Sequence, residues 1–149
     1  MNLYEILDKL EITYDEIEHE AVYTIEEAQK IESKIDGIGS KNLFLKDKNN
    51  NYYIYVLRED KRADLKELAK YLNTSKLSFG KDDELKEVLS LEKGGVTPLA
   101  VINDKDNKVT IIIDKGLVGI KVLHHPNVIN KTMSLEFNDL IKIIEYAEH

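Results

Sequence analysis

Cysteine is missing from all 149 residues, which excludes disulfides, thiolate metal sites and a cysteine nucleophile. No apolar run approaches the ~20 residues that a membrane span needs, and no basic N-terminal segment leads into one. There is no Gly-x-Ser-x-Gly elbow to support a serine hydrolase, and no Lys-Ser/Thr follows a glycine turn at P-loop spacing. The four histidines, His19, His124, His125 and His149, include no His-x-x-x-His pair, which speaks against a zinc site. Positive charge is short as well. A formal net charge of −7 disfavours DNA and broad nucleic-acid binding, because duplex affinity comes mostly from neutralised phosphates. One RNA end could still meet a local cluster. Lys41, Lys46 and Lys48 form one in sequence, and Lys61, Arg62 and Lys66 another, although solvated loops and helix faces explain each more simply.

What is present fits a cytoplasmic globular protein of one domain, since 42% hydrophobic residues can fill a core and 33% charged residues can cover it. Leu3, Ile6, Leu7 and Leu10 recur at helical spacing behind a capping Asn2. Ile12, Tyr14 and Ile17 mark a short strand. Thr24 and Glu27 make a capping box for a helix reaching about Ser33. Asp36-Gly37-Ile38-Gly39 breaks the chain before a strand from Asn42 to Leu45, and Asn49-Asn50-Asn51 turns it into a partner strand, Tyr52 to Leu57. Asp64 opens a helix carrying Leu65, Leu68, Ala69 and Leu72; Leu77 to Phe79 is a strand, and Asp82 opens another helix. Leu99 to Ile102 and Val109 to Ile113 read as a second hairpin around Asp104-Lys105-Asp106-Asn107. A strand from Ile120 to Leu123 and a last helix capped near Ser134 complete the chain. Hairpins interleaved with helices imply a mixed sheet with flanking helices, an α+β fold.

Three segments carry chemistry. Lys41 stands at the mouth of the apolar strand Leu43-Phe44-Leu45, after a turn with two glycines. A lysine anchored there can hold a phosphate or stabilise an oxyanion on an ester carbonyl; the plain alternative is a snorkelling surface lysine. Gly94-Gly95-Val96-Thr97-Pro98 allows close backbone approach, while Pro98 holds Thr97 extended. Such a turn can present amides and carbonyls to a small polar group, or simply lead the chain into the next element. His125, before Pro126, titrates near neutrality and could act as a general base, position a water or fill a polar niche.

Lys41-Asn42-Leu43-Phe44-Leu45, the Gly94 to Pro98 turn, Asp114 closing a strand, His125-Pro126, and Thr132 with Ser134 before a terminal helix together resemble the freestanding prolyl-tRNA editing family. The likeness runs from the Thr24 helix to Leu140, and Lys-Asn-Leu-Phe is similar to the branch that removes alanine from mischarged proline tRNA. The cysteine-removing branch more often has Lys-Thr there. One position departs: the asparagine common four residues after the histidine is Ile129 here, with Asn130 one further on, while Thr132 stays in step. The resemblance implies a partly curled mixed sheet, hydrolysis of an aminoacyl ester without a cofactor or metal, and the acceptor end of mischarged tRNA as partner. Prolyl-tRNA synthetase is a further candidate partner, and no membrane or DNA is involved. By the same resemblance, Lys41 and His125 are candidate catalytic residues. Asn42 and Gly94, Gly95, Val96, Thr97 and Pro98 would bind the aminoacyl end, and Ile25 and Ala28 would set pocket size unless they are ordinary core residues. A cysteinyl-tRNA deacylase and a non-catalytic sensing or docking module are the rival readings.

Overall fold

The computed structural model describes residues 2–20, 25–91, 95–128 and 130–149, without the side chains of residues 25 and 28. The expected Thr24 cap, Gly94 and Ile129 therefore lie outside the described residues. Helix α1 (Leu3–Lys9) begins as its sequence dictates: the Asn2 side chain accepts from the Glu5 amide, and Glu5 answers as the second half of a capping box. Strand β1 (Asp15–Glu18) and helix α2 (Ile25–Glu32) follow. The hairpin of β2 (Ser40–Lys46) and β3 (Tyr52–Arg58) has the expected asparagine turn, with Asn50 at φ 59°. The turn hangs on Asp47, whose buried carboxylate accepts from the Asn49 and Asn51 amides at 2.9 Å each and from the Tyr53 hydroxyl at 3.0 Å.

Helix α3 (Leu65–Tyr71), capped by Asp64, strand β4 (Ser78–Phe79) and helix α4 (Asp82–Leu89) stand where the periodicity places them. The expected strand Leu99 to Ile102 does not form. Residues Pro98–Asn103 instead make a 3₁₀ helix, because the Thr97 hydroxyl caps the Leu99 amide at 3.3 Å and Pro98 presets the first φ. No second hairpin arises: β5 (Val109–Ile113) pairs in parallel with β3. After β6 (Lys121–His124), Ser134 is not a helix cap but lies inside β7 (Lys131–Glu136). Glu136 precedes helix α5 (Phe137–Tyr146). The period-two pattern of β7 is hard to see because Thr132 and Ser134, on the face away from Met133 and Leu135, are buried too.

The fold is α+β, with two sheets in place of one. Strands β1-β7-β6 form an antiparallel sheet and β4-β2-β3-β5 a mixed one, neither of them closed. They meet where Ile38 bridges Val122 and the Ser40 hydroxyl donates to the Leu123 carbonyl at 2.9 Å. Gly37, at φ 150°, permits that approach: a Cβ there would sit 2.7 Å from the Leu123 side chain. On one face of β2, Phe44 packs with Leu85, Leu89 and Ala100; on the other, Leu45 packs with Leu68, Ala69 and Leu77. Leu45 and Leu57 are wholly buried, so β2 and β3 form a rigid floor for whatever projects from their ends.

Candidate functional site

Strand β2 begins at Ser40, so Lys41 is its second residue and not, as expected, the residue before it. The consequence is geometric. Successive strand residues point to opposite faces, which sends Ser40 and Asn42 to the side of α4 and Lys41 to the side of α3.

On the inner side, the Asn42 amide group donates to the Val96 carbonyl at 3.0 Å, tying the residue 95–98 turn to β2. Gly95, Thr97 and Pro98 are buried there and Val96 is half-buried. The other end of the same side chain, Asn42 Oδ1, is buried with no hydrogen-bond partner among the described residues. Such an orphan acceptor costs about 1–3 kcal/mol in a dry interior, which a bound donor would recover. Both ring nitrogens of His124 and Asn127 Oδ1 share this state. Burial, with some repulsion from His125, pushes the His124 imidazole down to about 3, so it is neutral at physiological pH.

His125 follows β6 and is half-buried. Its Nδ1–H donates to the Lys131 carbonyl at 3.2 Å, which leaves the Nε2 lone pair facing away from that bond. Burial lowers its pKa below the ordinary histidine range, the Lys131 carbonyl works against that, and nearby His19 adds to the lowering. His125 is thus a neutral, fixed acceptor. His19 is held in turn: its Nδ1–H donates to the Glu20 carbonyl at 2.6 Å and its Nε2 accepts from Thr132 Oγ1 at 2.8 Å. Asn130 meets this group through its backbone, its carbonyl accepting from the His19 amide at 2.9 Å.

On the outer side, Lys41 is half-buried opposite Leu57, and its ammonium makes no ion pair or hydrogen bond with any described residue. Arg58 holds exposed Asp60 below the usual carboxylate range, with a smaller contribution from the Lys41 charge. Sequence reasoning missed a carboxyl pair beside Gly39, two residues before Lys41. Glu32 and Glu59 lie against the bare face of that glycine, where a Cβ would come within 2.5 Å of Glu59 and closer still to Glu32. Burial, then a hydrogen bond from one acid to the other and their repulsion, push Glu32 up to about 8. The signal was Gly39 itself, but its meaning depends on a contact between α2 and the end of β3 that no local pattern reveals.

The structure therefore joins Asn42 with the Gly95-Val96-Thr97-Pro98 turn, and the Ser40–Leu123 bond brings the strand before His125 against β2. It separates Lys41 from the turn by one strand face. Ile25 and Ala28 sit on α2 with their side chains outside the description. The cleft between β5 and α5, of about 300 Å³ and lined by Ile111, Ile113 and Ile141, contains none of these residues.

Residues 19–143 match the family model described as an aminoacyl-tRNA editing domain. The chain is 43% identical over 141 residues to the prolyl-tRNA editing protein ProX of Acetoanaerobium sticklandii, covering 93% of this chain and 86% of that one. It is 35% identical over 150 residues to prolyl-tRNA synthetase associated domain-containing protein 1 of Danio rerio, covering 99% and 82%. A crystal structure of a candidate trans-editing enzyme for prolyl tRNA synthetase shares the fold, with a TM-score of 0.73 at 17% identity over 96% of this chain and 91% of that one.

Proposed function

The chain belongs to the aminoacyl-tRNA editing domain family, and on that premise we propose that it hydrolyses the ester of alanine mischarged onto proline tRNA. The carrying observation is Asn42. One end of its side chain fixes the Val96 carbonyl while the other is a buried, unpartnered acceptor. An aminoacyl ester brings an α-ammonium donor that suits such an atom, beside backbone groups of the 95–98 turn able to hold its carbonyl.

Water attacks the ester carbonyl carbon, the bond to the ribose oxygen breaks, and the proton lost by the water ends on that oxygen, giving free amino acid and uncharged tRNA. Backbone amides of the turn stabilise the oxyanion. His125, neutral and held through Nδ1, accepts a hydrogen bond at Nε2 from the water or the ribose hydroxyl and positions it. Lys41, on the outer face, binds a phosphate of the terminal nucleotide in preference to the oxyanion. Alanine enters and proline does not, with Ile25 and Ala28 of α2 limiting the space. A synthetase pocket alone discriminates by only ~1–3 kcal/mol per methylene-sized difference, so a second sieve of this kind is useful.

The test is deacylation of proline tRNA charged with alanine, cysteine or proline, with Lys41→Ala as control. The expected order is alanine fastest and proline inert, with kcat/KM on the alanyl substrate lowered by about 10²–10³ in the folded variant. Faster release of cysteine would move the substrate to the sister branch. Binding of charged tRNA without release of any amino acid would mean a sensing module.

A further inference from the structure

The molecule is acidic, yet residues 61–81 hold six basic side chains (Lys61, Arg62, Lys66, Lys70, Lys76, Lys81) against two acidic ones (Asp64, Glu67). That segment is net +4 in a chain of −7, which leaves −11 for the remainder. It builds α3, β4 and their connections. Helix α3 buries Leu68 and Ala69 and packs Leu65 and Leu72 toward Leu43 and Leu45 of β2, which turns Lys66, Lys70 and Tyr71 to solvent. Arg62, Lys66 and Lys76 make no ion pair with a described residue, and Lys70 only a loose one of 3.9 Å to exposed Glu67.

Two aromatics stand among these charges. Tyr71 is 82% exposed and Phe79 60%, the two largest values for any described large hydrophobic residue. Phe79 pairs with Leu45 across the sheet and so shares the face of β2 that carries Lys41. From Lys41 to Leu45 that face runs about 13 Å at ~3.3 Å per residue. Lys41, α3 and Phe79 thus form one continuous side of the molecule. Stray lysines on a surface need no explanation, but unpaired cations interleaved with bare aromatic rings have the chemistry of an RNA surface: cations meet phosphates and rings stack on bases.

We propose that the α3–β4 face binds the backbone and unpaired bases of the acceptor arm of an RNA whose 3′ end lies at Lys41. This rests on the editing reading for the position of that end, and it adds where the rest of the nucleic acid runs. It also reconciles an acidic protein with an RNA substrate, because most of the negative charge lies outside this segment.

The experiment measures binding of end-labelled, uncharged proline tRNA by fluorescence anisotropy across a salt series, for the full chain and two variants. Lys66→Glu/Lys70→Glu/Lys76→Glu is expected to weaken binding about tenfold or more, with a log–log salt slope shallower by about one for each phosphate no longer neutralised. Tyr71→Ala/Phe79→Ala is expected to weaken it several-fold with the slope unchanged. Circular dichroism confirms folding, which exposed substitutions should leave intact. Unchanged affinity and slope in the charge variant would overturn the proposal, as would loss of binding to a protein partner with RNA binding unaltered. Deacylation of 3′-O-alanyl-adenosine, which has no acceptor arm to lie on α3, keeps the two readings apart. A chain that cleaves it normally but ignores the charge reversal loses only this surface. A chain that binds tRNA through α3 yet cleaves nothing loses only the editing reading.

Discussion

Lys41 and Asn42 are neighbours in one strand, yet they enter different worlds. Asn42 is half-buried among neutral polar atoms, several of which are buried without partners among the described residues: its own Oδ1, both nitrogens of His124, and Asn127 Oδ1. Lys41 faces the side of α3, where charge is plentiful and rings are exposed. The contrast teaches how a small fold can handle a substrate with two unlike ends. A neutral, desolvated compartment suits an aminoacyl ester, because backbone dipoles act strongly where water is excluded. A wet, cationic face suits a polyphosphate chain. On the proposed function, one strand, through its period of two, divides the two tasks.

Deleting each neighbour in turn separates the two sides. Lys41→Ala should lower kcat/KM on alanyl-tRNA by about 10²–10³, largely through KM, if it grips a phosphate as a charge-assisted partner. Asn42→Ala should free the Val96 turn and cost about 10² in kcat, since small misplacements of a positioning element carry that penalty. A fall in kcat alone for Lys41→Ala would return the lysine to the oxyanion. His125→Ala should cost about tenfold, below the 10²–10⁴ of an obligatory base. Because burial lowers the His125 pKa, the wild-type rate should stay level as pH falls through about 6.5 and decline only below it.

The smallest effects concern stability, and the two sides have opposite signs. Buried His124 refuses a proton in the fold that the unfolded chain accepts below about 6.5, so stability falls as pH drops from there toward 3. The slope for one such group is at most about 1.4 kcal/mol per pH unit. Glu32 behaves in reverse: its raised value means that the fold keeps a proton which the unfolded chain releases, so stability declines as pH rises from about 4.5 to about 8. Glu32→Gln should flatten that alkaline decline in urea titrations at about pH 5 and about pH 8. An unaltered decline would mean that the carboxyl pair on Gly39 does not share a proton.

How much of this is readable from the sequence follows from how local each signal is. Asn2, Asp64 and the triple asparagine act on their own turns, and each stands where the sequence puts it. The family likeness is readable too, but not that Asn42, and not Lys41, meets the residue 95–98 turn. Pro98–Asn103 misleads because a buried apolar run looks the same as strand or helix, and the Thr97 cap decides it. Strand β7 is hidden because Thr132 and Ser134 are buried, the latter against Gly37 and Asp36, with a 2.6 Å bond from the Ser134 hydroxyl to the Asp36 carbonyl. The division between Lys41 and Asn42 turns on where β2 begins, a boundary two residues earlier than the apolar pattern suggests. The Glu32–Glu59 pair joins elements distant in the chain, and only the folded structure brings it together.

On the proposed function, β2 sorts the substrate, ester inside and phosphate outside. Hydrolysis of 3′-O-alanyl-adenosine, which keeps the ester and the ribose but has no phosphate, tests it most directly beside alanyl-tRNA. Lys41→Ala should match the wild-type protein on the nucleoside while losing at least about 10² on the tRNA, and Asn42→Ala should fail on both. An equal loss for Lys41→Ala on the two substrates would contradict it.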